Sequence, residues 1–216
     1  MANNLYYQTV TPLLRITLTI LMSSKVFNPF RLVGGTALSL QRGHRCSDDV
    51  DLFTDAPYGS IDFSLIHSFL ESSFPYLDPG DYKDENIGFG KSYFIGESDK
   101  NSVKLDLFYT DGFIQDIILV DDFRLAPVEE IIAMKIDVVQ RGGRKKDFWD
   151  LHELKDDFSF EQMLALHEKR YPHNHDKELI KANFKNFDMA DQDFNPVCLR
   201  GKHWEIIKLD MTDFSE

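Results

Sequence analysis

The sequence predicts an α+β chain, with a mixed α/β half over residues 1–124 and an all-helical half over residues 125–216. Three observations predict it. Up to residue 124, short apolar runs bounded by Gly, Pro, Asn and Asp alternate with stretches whose apolar residues recur at helical spacing. At Leu125-Ala126-Pro127 the pattern changes to helices alone. The 216 residues include 43% hydrophobic positions and 18 phenylalanines, enough to bury a proper core.

Leu5, Val10, Leu13, Leu14, Leu18, Leu21 and Met22 place an amphipathic helix over 4–26, broken by Asn28-Pro29. A short strand over 30–33 ends in Gly34-Gly35, and a helix over 36–41 closes at Gly43. A polar loop over 44–48 leads to a strand over 50–53. A turn with Pro57 and Gly59 precedes a second amphipathic helix over 61–74, with Asp62 near its start. Residues 75–90, rich in Pro, Gly and Asp, read as loop with one weak strand. Strands over 91–95 and 102–109 pair through a turn at 96–101, and 113–119 reads as another strand. Pro127 with Glu129-Glu130 marks a helix start, with proline at its first position. Helices then run to about 187, separated by Gly142-Gly143, 156–159 and 171–175. Trp204, Ile206, Ile207 and Leu209 mark a short docked element in 188–216.

The net charge of −12 argues against non-specific binding to anionic nucleic acid or membrane, while leaving room for a local basic patch. Two cysteines, Cys46 and Cys198, give no disulfide framework and suit a reducing compartment. Met1-Ala2-Asn3-Asn4 lacks the basic region of a secretory signal, and no apolar run reaches the about 18 residues that span a bilayer. The expectation is a soluble, cytoplasmic protein without membrane contact.

The chemistry concentrates in Gly34-Gly35-Thr36-Ala37-Leu38 followed by Asp49-Val50-Asp51-Leu52-Phe53. Side chains at i and i+2 share a strand face, so Asp49 and Asp51 point the same way, near the glycine turn. Aligned carboxylates suit magnesium, which completes its shell with water and substrate phosphates. Glycines let a backbone approach a phosphate closely. The combination predicts phosphoryl or nucleotidyl transfer. Asp106 is a third acid in an apolar strand; it either shares two metal ions with the pair or meets Lys104 on a solvated face. Lys135, in a strongly apolar helix, either snorkels or has an anionic partner. Arg141, Arg144, Lys145 and Lys146 form the one dense basic cluster, either a solvated turn or a cradle for triphosphate or RNA. Asp147 follows where an acid also caps a helix. His44 and Arg45 either touch phosphate or line the loop, Cys46 has no evident base, and His173-Asn174-His175 reads as surface loop.

The segment from Leu32 to Phe53 resembles the minimal nucleotidyltransferase signature, in which a Gly-Gly or Gly-Ser turn precedes an acid-x-acid strand. The match is closest to the AbiEii/AbiGii abortive-infection toxins. Ala133-Met134-Lys135 and the run Arg141-Gly142-Gly143-Arg144-Lys145-Lys146-Asp147-Phe148-Trp149-Asp150-Leu151 resemble the same family. The resemblance covers roughly residues 30–155. It implies a nucleotidyltransferase-like fold, a polymerase-beta-type palm whose mixed sheet carries flanking helices. It implies that Gly34, Gly35 and Ser47 hold the NTP, with Lys135 and Arg144 on its phosphates. Asp49 and Asp51, with Asp106 as third acid, hold Mg2+, and Asp147 is an essential acid beside them. Gly35 stands where many members have serine, which keeps a backbone contact and loses a hydroxyl. The implied function is NMP transfer from NTP to RNA such as tRNA, or to protein, by a toxin of a type IV toxin–antitoxin or phage-defence system with a cognate antitoxin. Two other readings remain at this point: nucleotidylation of an aminoglycoside-type small molecule, and a non-catalytic NTP-binding relict.

Overall fold

The computed structural model describes residues 4–80 and 88–216. Thr11 accepts a hydrogen bond from the Leu14 N–H and Pro12 takes the first helical position, so α1 spans Pro12–Ser23. The helix expected over 4–26 is therefore shorter. Tyr7–Thr9 and Lys25–Phe27 are separate 3-10 turns on either side of it. β1 is Arg31–Leu32, and α2 is Gly34–Arg42, closed by Gly43 in the left-handed region at φ +67°. β2 is Asp49–Thr54; α3, capped by Asp62, is Phe63–Ser73. The weak strand expected within 75–90 is β3, Tyr76–Asp78; residues 81–87 of that stretch lie outside the described residues. β4 is Gly90–Ser98 and β5 is Asn101–Tyr109, one long hairpin.

The strand expected over 113–119 is instead the first arm of a hairpin, β6 Ile118–Val120 and β7 Phe123–Leu125. Its two-residue turn is Asp121-Asp122, both at positive φ, as tight hairpins require. The seven strands form one mixed sheet in the order β3-β4-β5-β2-β1-β7-β6. β2 runs parallel to β5 and antiparallel to β1, and β1 runs parallel to β7. Val50, Leu52, Leu105 and Leu107 are fully buried in the core, and α1 packs against β2, β5 and β7. The alternate residues of β2 and β5 form the opposite face.

α4, Val128–Gln140, follows Pro127, which caps the helix rather than opening it. It is buried on most sides because α2, α5, α6 and α7 all pack on it. α5 is Lys145–Leu154, α6 is Phe160–Arg170 and α7 is Lys177–Asn183. Between α4 and α6, Glu130 and Arg170 form a fully buried ion pair. Glu130 also accepts from the N–H groups of Ile114 and Gln115, and Arg170 donates to Thr110 Oγ1 and the Gly112 carbonyl, which pins that loop.

Beyond a 3-10 turn at Ala190–Gln192 the chain crosses back to the N-terminal half. Cys46 N–H donates to the Val197 carbonyl (2.9 Å), Leu199 N–H donates to the His44 carbonyl (2.8 Å), and Arg45 bridges Cys198 antiparallel. The docked element expected near the C-terminus is α8, Trp204–Phe214, a full helix. Trp204, Ile207 and Met211 face the core at helical spacing, with Trp204 stacked on Trp149, while Ile206 and Leu209 are exposed. Among the described residues, no helix is long and apolar enough to cross a membrane.

Candidate active site

Alternation along β2 turns Val50, Leu52 and Thr54 into the core and leaves Asp49, Asp51 and Phe53 on the open face. β5 does the same with Lys104, Asp106 and Phe108. The parallel register sets Asp49 beside Lys104, Asp51 beside Asp106 and Phe53 beside Phe108. Three acids thus share one face of two adjacent strands. Asp106 is engaged there by Lys104 Nζ (2.6 Å) and Ser92 Oγ (2.6 Å). Asp49 faces Lys146 Nζ at 3.4 Å. The Asp51 carboxylate has no hydrogen-bond partner among the described residues. Burial first, then repulsion from Asp106 and Asp49, pushes its carboxyl up to about 6.

The start of α2 lies against this row. Val33 N–H donates to the Asp51 carbonyl (2.9 Å), which ties the helix entry to β2. The N–H groups of Gly34, Gly35 and Thr36 precede any intrahelical acceptor and have no partner among the described residues, leaving donors for an anion. Gly34 sits at φ +68°, and a Cβ there would lie 2.5 Å from Asp51 Oδ2. Gly35 packs against the Arg45 guanidinium and Ser47 Oγ. The Thr36 hydroxyl joins Ser47 Oγ (2.8 Å) and the carbonyl of Asp49. Gly34→Ala should therefore lower stability by about 1–2 kcal/mol and the melting temperature by roughly 2–8 °C, and it should displace Asp51. A thermal melt and a transfer assay check this; an unchanged melt refutes the constraint.

A buried ionic chain lies beneath the row. Asp150 takes both Arg45 Nε (2.6 Å) and Nη2 (2.8 Å), His44 Nε2 (2.8 Å) and Lys135 Nζ (2.8 Å). Lys135 Nζ also reaches Asp147 Oδ1 (2.6 Å), and Asp147 Oδ2 holds Arg144 Nε (2.8 Å) and its backbone N–H (3.2 Å). Burial would raise Asp150, but the charges of Arg45 and Lys135 hold it well below the ordinary carboxylate value. Burial would lower Lys135, but Asp147 and Asp150 keep its ammonium above the ordinary value. Lys135 thus has the anionic partners that an apolar helix demands, and the chain fixes the half-exposed Arg144 at the site's edge.

Two hollows meet at Arg144. The larger, about 730 Å³, contains Ser47, Asp49, Arg144 and Lys146, with Phe194 and Asn195 on its far wall. The smaller, about 320 Å³, contains Gly34, Asp51, Lys135, Arg144 and Asp147. Gly34, Ser47, Asp49, Asp51, Lys135, Arg144 and Asp147 each line one of these, Gly35 packs on Arg45 and Ser47 between them, and Asp106 lines neither. Of the basic cluster, Arg144 and Lys146 border the large hollow, Arg141 pairs with Asp137, and Lys145 turns away to the carbonyl of Asp193. Sequence reasoning gave no role to Asp150, the centre of the ionic chain. Its signal was spacing: Asp147 and Asp150 share a helix face at i, i+3.

The donor set fits magnesium. Asp49 and Asp51 are hard oxygen donors, and a cation would offset the repulsion that Asp51 carries. Among the described residues, no three His, Cys, Asp or Glu side chains converge into a ready-made cage. That suits an ion held by two carboxylates and finished by water and phosphate.

Comparison with known proteins bears on the family and the fold. The family model described as "Nucleotidyl transferase AbiEii toxin, Type IV TA system" matches residues 17–215. An uncharacterized protein of Aquifex aeolicus (strain VF5) is 28% identical over 186 residues, 80% of this chain and 80% of its own length. The nucleotidyltransferase toxin MenT4 of Mycobacterium tuberculosis H37Rv has a similar fold, with TM-score 0.60 and 14% identity over 94% of this chain and 81% of that one. JHP933 of Helicobacter pylori does also, with TM-score 0.57 and 20% identity over 94% and 87% of the two chains. With the family model spanning nearly the whole sequence, this chain is a nucleotidyltransferase that belongs to the AbiEii toxin family.

Proposed function

We propose that the protein, with magnesium, moves a nucleoside monophosphate from an NTP to a hydroxyl of RNA such as tRNA and releases pyrophosphate. The observation that carries this reading is the set of N–H groups at Gly34 and Gly35, without partners among the described residues, with Gly34 directly beside Asp51. Those donors, with Ser47, take the triphosphate, and Arg144 and Lys146 add charge at its edge. Lys135 contributes its charge from the floor of the smaller hollow. Asp49 and Asp51 would hold the metal, whose chemistry there would be to activate the attacking oxygen and offset charge on the leaving pyrophosphate. The acceptor oxygen bonds to the α-phosphorus as the bond to the β-phosphate bridge breaks. Asp106, in register beside Asp51, is the remaining acid for the metal shell or the acceptor's proton. Asp147 acts through its hold on Lys135 and Arg144. The setting is cytoplasmic, where NTP and tRNA are available, with a cognate antitoxin restraining the toxin.

The test incubates the protein with each α-labelled NTP, magnesium and total RNA, then separates RNA from protein. Label on RNA that is absent with Asp49→Ala supports the proposal; label on protein moves the acceptor class. No transfer by a protein that still binds NTP supports the relict reading. The acidic surface also suits a cationic small acceptor. Induced expression separates the two, because the toxin slows growth whereas an aminoglycoside-modifying enzyme protects.

A further inference from the structure

Beyond the smaller hollow the groove continues into a third, of about 450 Å³, which shares Thr110, Asp137 and Tyr171 with it. The new surface there is aromatic. Tyr58 lies 5.3 Å from Tyr109 and 6.1 Å from Phe89, centroid to centroid, and Tyr109 packs edge-on to Phe63 behind it. The inner ring is fixed, since Tyr109 Oη accepts a hydrogen bond from the Ile61 N–H (2.8 Å). The outer two are open, Tyr58 at 69% and Phe89 at 76% exposure. Rings that are mutually packed yet this exposed form a ready stacking surface.

The groove is polarised along its length. At the Asp51 end stand the α2 N–H groups, Arg144 and Arg141; at the aromatic end stands Asp111, with Asp137 between. Asp51 and Asp147 share the first end, but the N–H donors and cations lie only there, so a bound nucleotide directs its phosphates toward it. Thr110 follows β5 directly and pairs with Thr54, three residues on from Asp51 along β2. At strand rise that is roughly 10 Å from the carboxylates, a distance suited to a ribose and base. The Glu130–Arg170 pair holds Thr110 in place through Arg170 Nη2 (2.9 Å).

We infer that Tyr58 and Phe89 stack the nucleobase of the incoming NTP, with its triphosphate directed back to Gly34. The inference rests on the nucleotidyl-transfer reading and adds where the base goes. Stacking on an aromatic ring contributes about 1–3 kcal/mol per base, which is roughly 5- to 150-fold in affinity.

Calorimetric titration of the full chain with magnesium and each NTP, and separately with inorganic tripolyphosphate, tests it. Tyr58→Ala and Phe89→Ala should each weaken NTP binding within that range and leave tripolyphosphate binding unchanged. Tyr58→Phe should retain wild-type NTP affinity. Unchanged NTP affinity in both alanine variants overturns the base assignment, as does equal weakening for NTP and tripolyphosphate. A variant that alters only the Michaelis constant of a cationic small acceptor also overturns it. Wild-type protein that binds tripolyphosphate but no NTP more tightly overturns it too. Binding of neither ligand by folded wild-type protein sinks the transfer reading itself.

Discussion

Asp51→Asn should abolish nucleotidyl transfer and, in metal-free buffer, make the protein more stable. The activity arm follows from losing a metal-holding carboxylate, several kcal/mol of transition-state stabilisation, or on the order of a thousandfold in rate. The stability arm follows from crowding. Burial, with Asp106 and Asp49 nearby, lifts the Asp51 carboxyl from its ordinary 3.8 to about 6. The folded chain therefore holds this proton more tightly than the unfolded chain does. As pH rises from 3.8 toward 6 the unfolded state loses its proton first, and folding stability falls. Above 6 the whole deficit is present. A shift of about two units corresponds to about 3 kcal/mol at most, and solvent at this half-buried site reduces it to about 2. An asparagine carries no charge to be repelled, so at pH 7 with EDTA the variant should melt roughly 5 °C higher. Below pH 4 the gap should close. Magnesium should raise the melting temperature of the wild type and not of the variant. A variant that melts lower than wild type in EDTA at pH 7 would contradict this account.

Asp150→Ala should cause the largest loss of stability of any change at the site. The carboxylate is fully buried, neutralises Arg45 and Lys135 and hydrogen-bonds His44. Its removal strands Arg45 in the interior and leaves Lys135 with Asp147 alone, for which about 3–5 kcal/mol is the expected cost. At this chain length that lowers the melting temperature by roughly 7–12 °C. The site would loosen with it, because Arg45 packs on Gly35 and Lys135 positions Asp147 and hence Arg144. Asp150→Asn keeps the shape and one acceptor, so it should fall between wild type and alanine. Urea melts rank the three; a loss below 1 kcal/mol for the alanine variant would show that water enters and screens the chain. Asp147 and Asp150 have the opposite pH dependence to Asp51. Asp147 and Asp150 titrate below the ordinary carboxylate value, Asp147 because Lys135 and Arg144 outweigh its burial. Their contribution is present at neutral pH and lost as pH falls through those depressed values.

The strand carrying Asp49 and Asp51 was legible because period-two alternation states which residues share a face, and the parallel register with β5 then brings Asp106 into the same row. Helix α4 was legible through Pro127, its acidic first turn and its continuous apolar run. The β6–β7 hairpin was hidden because Asp121-Asp122 is a less familiar tight turn than one containing glycine. Helix α8 was underread because Ile206 and Leu209 looked like core and are exposed; the buried stripe runs through Met211 instead. At the site, one sequence feature admitted two meanings that only packing separates. The basic cluster is split by helix geometry, with Arg144 and Lys146 at the cleft and Lys145 facing Asp193. The isolated Lys135 is an ion-pair member. Asp150 had the right spacing, but its partners Arg45 and His44 arrive from a loop more than a hundred residues earlier, as nothing local predicts.

The crossing of residues 194–199 back onto the loop at 44–46 bears on when a harmful enzyme becomes active. Gly34, Asp49 and Asp51 are made early, and translation proceeds at about 5–20 residues per second. The far wall of the large cleft, with Phe194 and Asn195, follows seven of the eight helices. Lys135, Asp147 and Asp150 also come long after the glycine turn. A ribosome-bound fragment therefore carries Asp49 and Asp51 without the cation chain or the second wall. Synthesis order itself delays assembly of the site, so it is completed only after most of the sequence has been released to fold.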